Sequence, residues 1–267
     1  MDTTIQKLWE NYFKITPTIK DVKSALNLNN YTSFCDHIAF RTIINDKSGI
    51  TPNNLGNYGI EKMSIPFLEQ GYTYKNRYFF KEKNLRALHL EKKNCPKIFI
   101  SELLLNKCSS FLKSTLLNTF KYYNMNDSIH TSGRKWNVNF KTYETLKIES
   151  EYAAWLYIHG HRVNHFTINV NQLKNYSIEN VCAQLKTFGI KLNTIGGTIK
   201  GSTKLGLKQA STLADEINVK FEDKKNTVKI PSCYVEFAER FIIENKTFNG
   251  FITKSANNIF ESTNKVA

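Results

Sequence analysis

The chain has 267 residues, 41% hydrophobic and 13% aromatic, with 37 Lys and Arg against 23 Asp and Glu, a formal charge of +14. That length allows one large domain or two coupled modules; no apolar run approaches a membrane span, and Met1-Asp2-Thr3-Thr4-Ile5-Gln6-Lys7 lacks a signal peptide's pattern, so a cytoplasmic protein is expected. The lysines are dispersed rather than clustered, which argues against nucleic acid as a partner, and the scattered Cys35, Cys95, Cys108, Cys182 and Cys233 exclude a disulfide framework or a zinc knot.

In chain order, residues 3–28 carry two helical patterns, Ile5-Leu8-Trp9-Tyr12-Phe13 and Ile19-Val22-Ala25-Leu26, broken at Thr16-Pro17-Thr18. A strand follows at Phe34-Cys35-Asp36-His37-Ile38-Ala39-Phe40-Arg41-Thr42-Ile43. Residues 53–69 have helical spacing interrupted by Pro66, and three strands come next, over 72–80, 85–90 and 97–102. Leucines and phenylalanines at helical spacing then run from Leu103 to Tyr123, a loop-rich stretch covers 124–140, and a second helix spans 143–156. A strand at Arg162-Val163-Asn164-His165-Phe166-Thr167-Ile168-Asn169-Val170 alternates apolar and polar residues. After it come a helix over 178–188 closed by Gly189, a turn at Gly196-Gly197, and strands over 207–212, 217–221 and 232–238.

The order strand, helix, strand, strand, strand therefore occurs twice. The spacing predicts an α+β fold of two paired βαβββ modules in a curved mixed sheet or half-barrel around a metal cleft. The boundaries are a helical lead-in at 1–30, a first module at 31–102, a helical insert at 103–160, a second module at 161–240 and a tail at 241–267. Chemistry repeats with the elements. Asp36-His37 opens the first module and Asn164-His165 the second, and each module ends on an apolar strand with a glutamate, Glu102 or Glu236. With the two opening strands side by side, His37 and His165 share one face and Glu236 completes a set of two imidazoles and one carboxylate. That set leaves positions open for substrate and dioxygen, as in non-haem Fe(II) oxygenases. Arg41, four residues after His37, faces the same side about 13 Å along the strand, and its planar guanidinium suits a substrate carboxylate. Gln209, Ser211 and Tyr234 are polar residues on strands expected to line the cleft, and are read as substrate contacts.

Several motifs together resemble the 2-oxoadipate dioxygenase/decarboxylase family, which is similar in architecture to the vicinal oxygen chelate superfamily. They are Asp36-His37-Ile38-Ala39-Phe40-Arg41-Thr42, Pro96-Lys97-Ile98-Phe99-Ile100-Ser101-Glu102-Leu103, Glu149-Ser150-Glu151-Tyr152-Ala153-Ala154-Trp155, Arg162-Val163-Asn164-His165-Phe166-Thr167, Gln209-Ala210-Ser211-Thr212 and Tyr234-Val235-Glu236-Phe237-Ala238-Glu239-Arg240. The likeness covers about residues 30–262. It implies Fe(II) held by His37, His165 and Glu236, with Arg41 on a substrate carboxylate. It also implies oxidative decarboxylation of 2-oxoadipate to 2-hydroxyglutarate in lysine breakdown, with dioxygen as co-substrate. This chain is shorter than the better-characterised members, whose additional segments contact the far carboxylate, and it has Ala210 where a serine is expected.

Other polar residues have plainer readings. His89 is expected to support the site rather than ligate, Glu102 to be a strand-end charge, and His159 and His161 to flank Gly160 in an exposed turn. Glu239 falls on the strand face opposite Glu236. Two competing functions keep the same modules: an isomerase or lyase using zinc, nickel or manganese without oxygen, and a small-acid binding module without catalysis.

Overall fold

The computed structural model describes residues 3–28, 34–45, 58–124 and 128–252. Its helices are α1 (Thr3–Ile15), α2 (Thr18–Ala25), α3 (Ile60–Leu68), α4 (Ser110–Phe120), α5 (Phe140–Glu149), α6 (Glu151–His159) and α7 (Ile178–Thr187). The strands are β1 (Cys35–Ile44), β2 (Thr73–Phe80), β3 (Leu85–Glu91), β4 (Lys97–Leu104), β5 (Val163–Asn169), β6 (Lys200–Ser202), β7 (Leu207–Ser211), β8 (Glu216–Val219), β9 (Val228–Pro231), β10 (Tyr234–Arg240), β11 (Ile242–Ile243) and β12 (Lys246–Thr247). The fold class is the expected α+β. Eight strands form one mixed sheet in the order β2-β3-β4-β1-β5-β10-β7-β6, so the two histidine-bearing strands β1 and β5 are neighbours.

The chain divides into two compact units, the first of Met1–Ile38, Asn164–Glu216 and Pro231–Ala267, the second of Ala39–Val163 and Ile217–Ile230. In the first, the period-2 alternation of β5 sends Phe166 against Trp9 and Tyr12 of α1, with ring centroids 5.3 and 5.0 Å away. Full burial of a ring of that size stabilises by about 1.5–3 kcal/mol. Helices α2 and α7 pack on β10 and β7. Asp215 caps α2, accepting the Thr18 hydroxyl at 2.7 Å and its N–H at 3.2 Å.

In the second unit, α3 packs on β4. The single helix expected over 143–156 is two. Ser150 takes an extended conformation (φ −155°, ψ 108°) and its hydroxyl accepts the Ala153 N–H, so it ends α5 and starts α6. Every residue of α6 after Glu151 is buried, which erases the one-sided periodicity that would have marked its limits. Between residues 103 and 123 there is one helix, α4, and Leu103 and Leu104 belong to β4. The strand expected over 217–221 lies outside the main sheet, as β8 paired with β9. The sheet position goes instead to β6, three residues centred on Gly201, too short to register as an alternation. Residues 53–57 of the expected first-module helix, and 253–267 of the tail, lie outside the described residues.

Gly160 closes α6 at φ 62°, ψ −150°, a region that essentially only glycine enters. A Cβ there would meet the Tyr123 hydroxyl and the Gly133 carbonyl. Gly160→Ala is expected to destabilise by about 3 kcal/mol or more, measured from the urea midpoint. A loss below about 1 kcal/mol would contradict this close packing.

Candidate metal centre

Strand register builds the site. β10 runs parallel to β5 with Tyr234 opposite His165 and Glu236 opposite Thr167, and antiparallel to β7 with Glu236 opposite Ser211 and Ala238 opposite Gln209. Alternation then puts His165, Thr167, Tyr234, Glu236, Ser211 and Gln209 on one face, while Phe166, Val235 and Phe237 take the other into the core.

His37, His165 and Glu236 each offer one ligand atom within 4.8 Å of the others, and all three are buried. His37 Nε2 lies 3.4 Å from Glu236 Oε1, and His165 Nε2 lies 3.6 Å from Oε2. Each ring is turned by the residue before it. His37 Nδ1 is 2.8 Å from Asp36 Oδ1, and His165 Nδ1 is 3.0 Å from Asn164 Oδ1. Asp36 is an ionised acceptor, so the His37 Nδ1 carries the proton and Nε2 keeps its lone pair for an ion. Glu236 Oε1 accepts from Gln209 Nε2 at 2.8 Å and from the Thr167 hydroxyl at 3.3 Å, while Oε2 has no hydrogen-bond partner among the described residues. Burial pushes the Glu236 carboxyl up, and His37 and Gln209 hold it down. Two imidazole nitrogens and a carboxylate oxygen, buried and converging with one oxygen left over, are a donor set that fits a divalent first-row cation and lacks the thiolates of a structural zinc site.

Behind His37, Arg240 grips Asp36 through Nε at 2.7 Å and Nη2 at 2.8 Å, and its Nη1 donates to the carbonyls of Phe248 and Gly250 at 3.0 and 2.9 Å. Burial opposes ionisation of Asp36, but the guanidinium overrides it and holds the carboxyl far below the usual range. The linkage sign follows: a depressed folded pKa contributes stability above the unfolded value near 3.9, and that contribution is lost as pH falls. Asp36→Asn is expected to cost about 3–5 kcal/mol at pH 7 by stranding Arg240, to flatten the acid limb of the stability curve, and to weaken metal binding about 10–100-fold. Urea titrations across pH and a metal titration measure all three. An unchanged acid limb would remove Asp36 from this role.

In the second unit, Arg41 is 1% exposed, with its guanidinium carbon 4.9 Å from the Tyr152 ring centre and 5.1 Å from that of Trp155. Its Nε, Nη1 and Nη2 have no hydrogen-bond partner among the described residues. No ion pair to Arg41 is formed among the described residues, and a ligand carboxylate would supply one.

Three plain expectations are corrected. Glu102 is fully buried, ion-paired with Arg86, and accepts the Ile60 N–H at 2.8 Å; burial raises its pKa to about 7 against the pull of Arg86. His159 and His161 are buried, because His161 stacks on Tyr123 at 4.1 Å and His159 lies against Trp155 at 4.7 Å. Glu102 is also not the counterpart of Glu236. Leu85 opens β3 opposite Leu103, and Leu207 opens β7 opposite Arg240, which equates Glu102 with Glu239 and Phe99 with Glu236. The roles agree, since Glu239 accepts the Ile178 N–H at the start of α7 as Glu102 accepts that of Ile60 at the start of α3. His89 is held between the Tyr78 hydroxyl at 2.9 Å and Glu91 at 3.2 Å.

Tyr234 lies under His165, ring centres 4.7 Å apart. Ser211 Oγ is buried with no hydrogen-bond partner among the described residues, and Gln209 faces Glu236. Sequence reasoning passed over Asp36, Asn164, Thr167 and Arg240. The signal for the first two was present in the repeated Asx-His dipeptide.

Residues 117–247 match the sequence profile described as 2-oxoadipate dioxygenase/decarboxylase. The chain is 34% identical to the chloroplastic 2-oxoadipate dioxygenase/decarboxylase of Arabidopsis thaliana, across 94% of this chain and 74% of that protein. It belongs to the 2-oxoadipate dioxygenase/decarboxylase family. A solved structure of the hydroxyglutarate synthase of Oryza sativa in complex with 2-oxoadipate is 30% identical and superposes with a TM-score of 0.84, over 98% of this chain and 91% of that one. A Ralstonia eutropha protein assigned to the glyoxalase superfamily shares the fold at 18% identity, with a TM-score of 0.73 over 91% of this chain and 83% of that one. The chain thus has the glyoxalase, or vicinal oxygen chelate, fold, and it is an enzyme of the 2-oxoadipate dioxygenase/decarboxylase type. Among the described residues, no helix is long and apolar enough to cross a membrane.

Proposed function

We propose that this chain is an Fe(II)-dependent dioxygenase that converts 2-oxoadipate and dioxygen to 2-hydroxyglutarate and carbon dioxide, a step of lysine breakdown. The balance closes: one dioxygen supplies both oxygen atoms gained, one to the carboxylate formed at the old keto carbon and one to the new hydroxyl. The observation that carries the reading is the buried convergence of His37, His165 and Glu236, each histidine presenting Nε2. The names of the Arabidopsis and rice relatives support the substrate.

Ferrous iron, when bound, would activate dioxygen, pass to it electrons that come from the 2-oxo acid, and leave coordination positions to the substrate. The chain does the positioning. Asp36 and Asn164 fix the ring orientations of His37 and His165, and Thr167 and Gln209 hold Glu236 by hydrogen bonds. Arg41, on the same strand as His37, pairs with the carboxylate of the 2-oxo acid end through its planar fork. Tyr234 and Ser211 complete the surface the substrate meets.

Oxygen uptake by the anaerobically purified, iron-loaded protein tests the reading. With 2-oxoadipate, uptake is expected to match carbon dioxide release one to one and to stop when iron is withheld. Absence of turnover with any 2-oxo acid would overturn it, and metal-dependent turnover without oxygen would transfer the site to isomerase or lyase chemistry.

A further inference from the structure

Lys200 lies on β6 and is 4% exposed, an ammonium group taken out of water. It stands opposite Gln209 in the β6–β7 ladder, so it projects from the sheet face that carries Gln209, Ser211 and Glu236. Gln209, its neighbour across the ladder, donates its amide to Glu236 at 2.8 Å. An ammonium has three donors, and Nζ has one described partner, the Gly197 carbonyl at 3.1 Å. Burial pushes the lysine's pKa down, and the charge on Glu236 pushes it back up.

Balancing Glu236 is not a sufficient role for it. Once a dication sits on His37, His165 and Glu236, the carboxylate is already more than neutralised. Asp36 and Arg240 cancel each other. Within the first unit, adding Lys200 leaves two positive charges in a buried region, a costly arrangement unless a dianion enters. A 2-oxo dicarboxylate is such a dianion. The geometry suits its length: β6 lies two strands from β10 in the sheet order, about 10 Å at ordinary strand spacing, and a six-carbon diacid spans about 6 Å at ordinary bond lengths, with the flexible lysine stem covering the remainder.

We propose that Lys200 anchors the far carboxylate of the substrate and thereby selects dicarboxylic over monocarboxylic 2-oxo acids. The proposal rests on the reading of the site as a 2-oxo acid site.

The test compares 2-oxoadipate with 2-oxohexanoate, which has the same length and lacks the far carboxylate. Anaerobic calorimetry on the iron-loaded protein measures binding, and oxygen uptake measures turnover, in wild type, Lys200→Met and Lys200→Arg. Wild type is expected to bind 2-oxoadipate about 30-fold or more tightly than 2-oxohexanoate. Lys200→Met should lose that preference by weakening 2-oxoadipate alone, and Lys200→Arg should keep part of it. Iron content and thermal midpoint identify a variant that fails to fold, and the arginine variant then carries the comparison. Equal weakening of both acids, or an unchanged preference, overturns the anchor while leaving the reaction standing. A wild type that binds 2-oxoadipate selectively yet consumes no oxygen overturns the reaction and leaves the anchor. A wild type that binds neither acid overturns the anchor, and oxygen uptake decides the reaction separately.

Discussion

In Glu236→Gln, the stability conferred by metal is expected to disappear while the metal-free protein becomes more stable than wild type. Burial raises the Glu236 carboxyl, and Oε2 finds no hydrogen-bond donor among the described residues. Its ionised form therefore opposes folding. The sign is that of a raised carboxylate pKa: wild type and variant should coincide below the unfolded value near 4.5 and diverge in the variant's favour as pH rises. Glutamine keeps an oxygen for the Gln209 and Thr167 donors, so the packing survives. Metal reverses the order. At a hundredfold excess over its dissociation constant, a ligand of the folded state adds about 2.7 kcal/mol. Wild type should show that increment with Fe(II) under anaerobic conditions, and the glutamine variant should show almost none, with affinity lowered at least ~100-fold, more than an outer partner costs. Thermal melts with and without metal across pH decide it. An undiminished metal increment in the variant would remove Glu236 from the ligand set.

The legible part of the site owes its visibility to strand geometry. A period of two commits His37, His165 and Glu236 to one side of their strands, and a histidine amid apolar alternation stands out against Phe166 and Ile168. The same period conceals register. Glu102 and Glu236 both follow apolar runs, and the sequence pairs them, yet the ladders equate Glu102 with Glu239. An offset of three residues is odd, so it exchanges faces. That offset puts Phe99 where Glu236 would stand, and the first module carries no matching carboxylate at that position. Arg240 was hidden for another reason: its partner Asp36 is 204 residues away, and no local pattern reports such a pairing. His159 and His161 read as turn residues because of Gly160, but their burial comes from Trp155, Tyr123 and Phe120, contacts that only tertiary packing supplies.

Arg41→Met should move activity and stability in opposite directions. The guanidinium is buried, its nitrogens have no hydrogen-bond partner among the described residues, and its only compensation there is the faces of Tyr152 and Trp155. Such stacking is worth about 2 kcal/mol when desolvated, less than the several kcal/mol of taking a cation out of water. Methionine has a similar reach and keeps a favourable sulfur contact with the rings, so the variant is expected to gain about 1–4 kcal/mol in urea titrations. The substrate meets the opposite consequence. Its carboxylate would lose a bidentate partner in a dry environment, a loss of about 2–5 kcal/mol, or about 30- to 5000-fold in kcat/KM. Arg41→Lys retains the charge without the fork and should fall between the two in activity. A buried charge kept at the expense of the ligand-free fold is intelligible only if a ligand uses it. Loss of stability together with activity in Arg41→Met would make Arg41 a structural cation, and the carboxylate at the 2-oxo acid end would then need another partner.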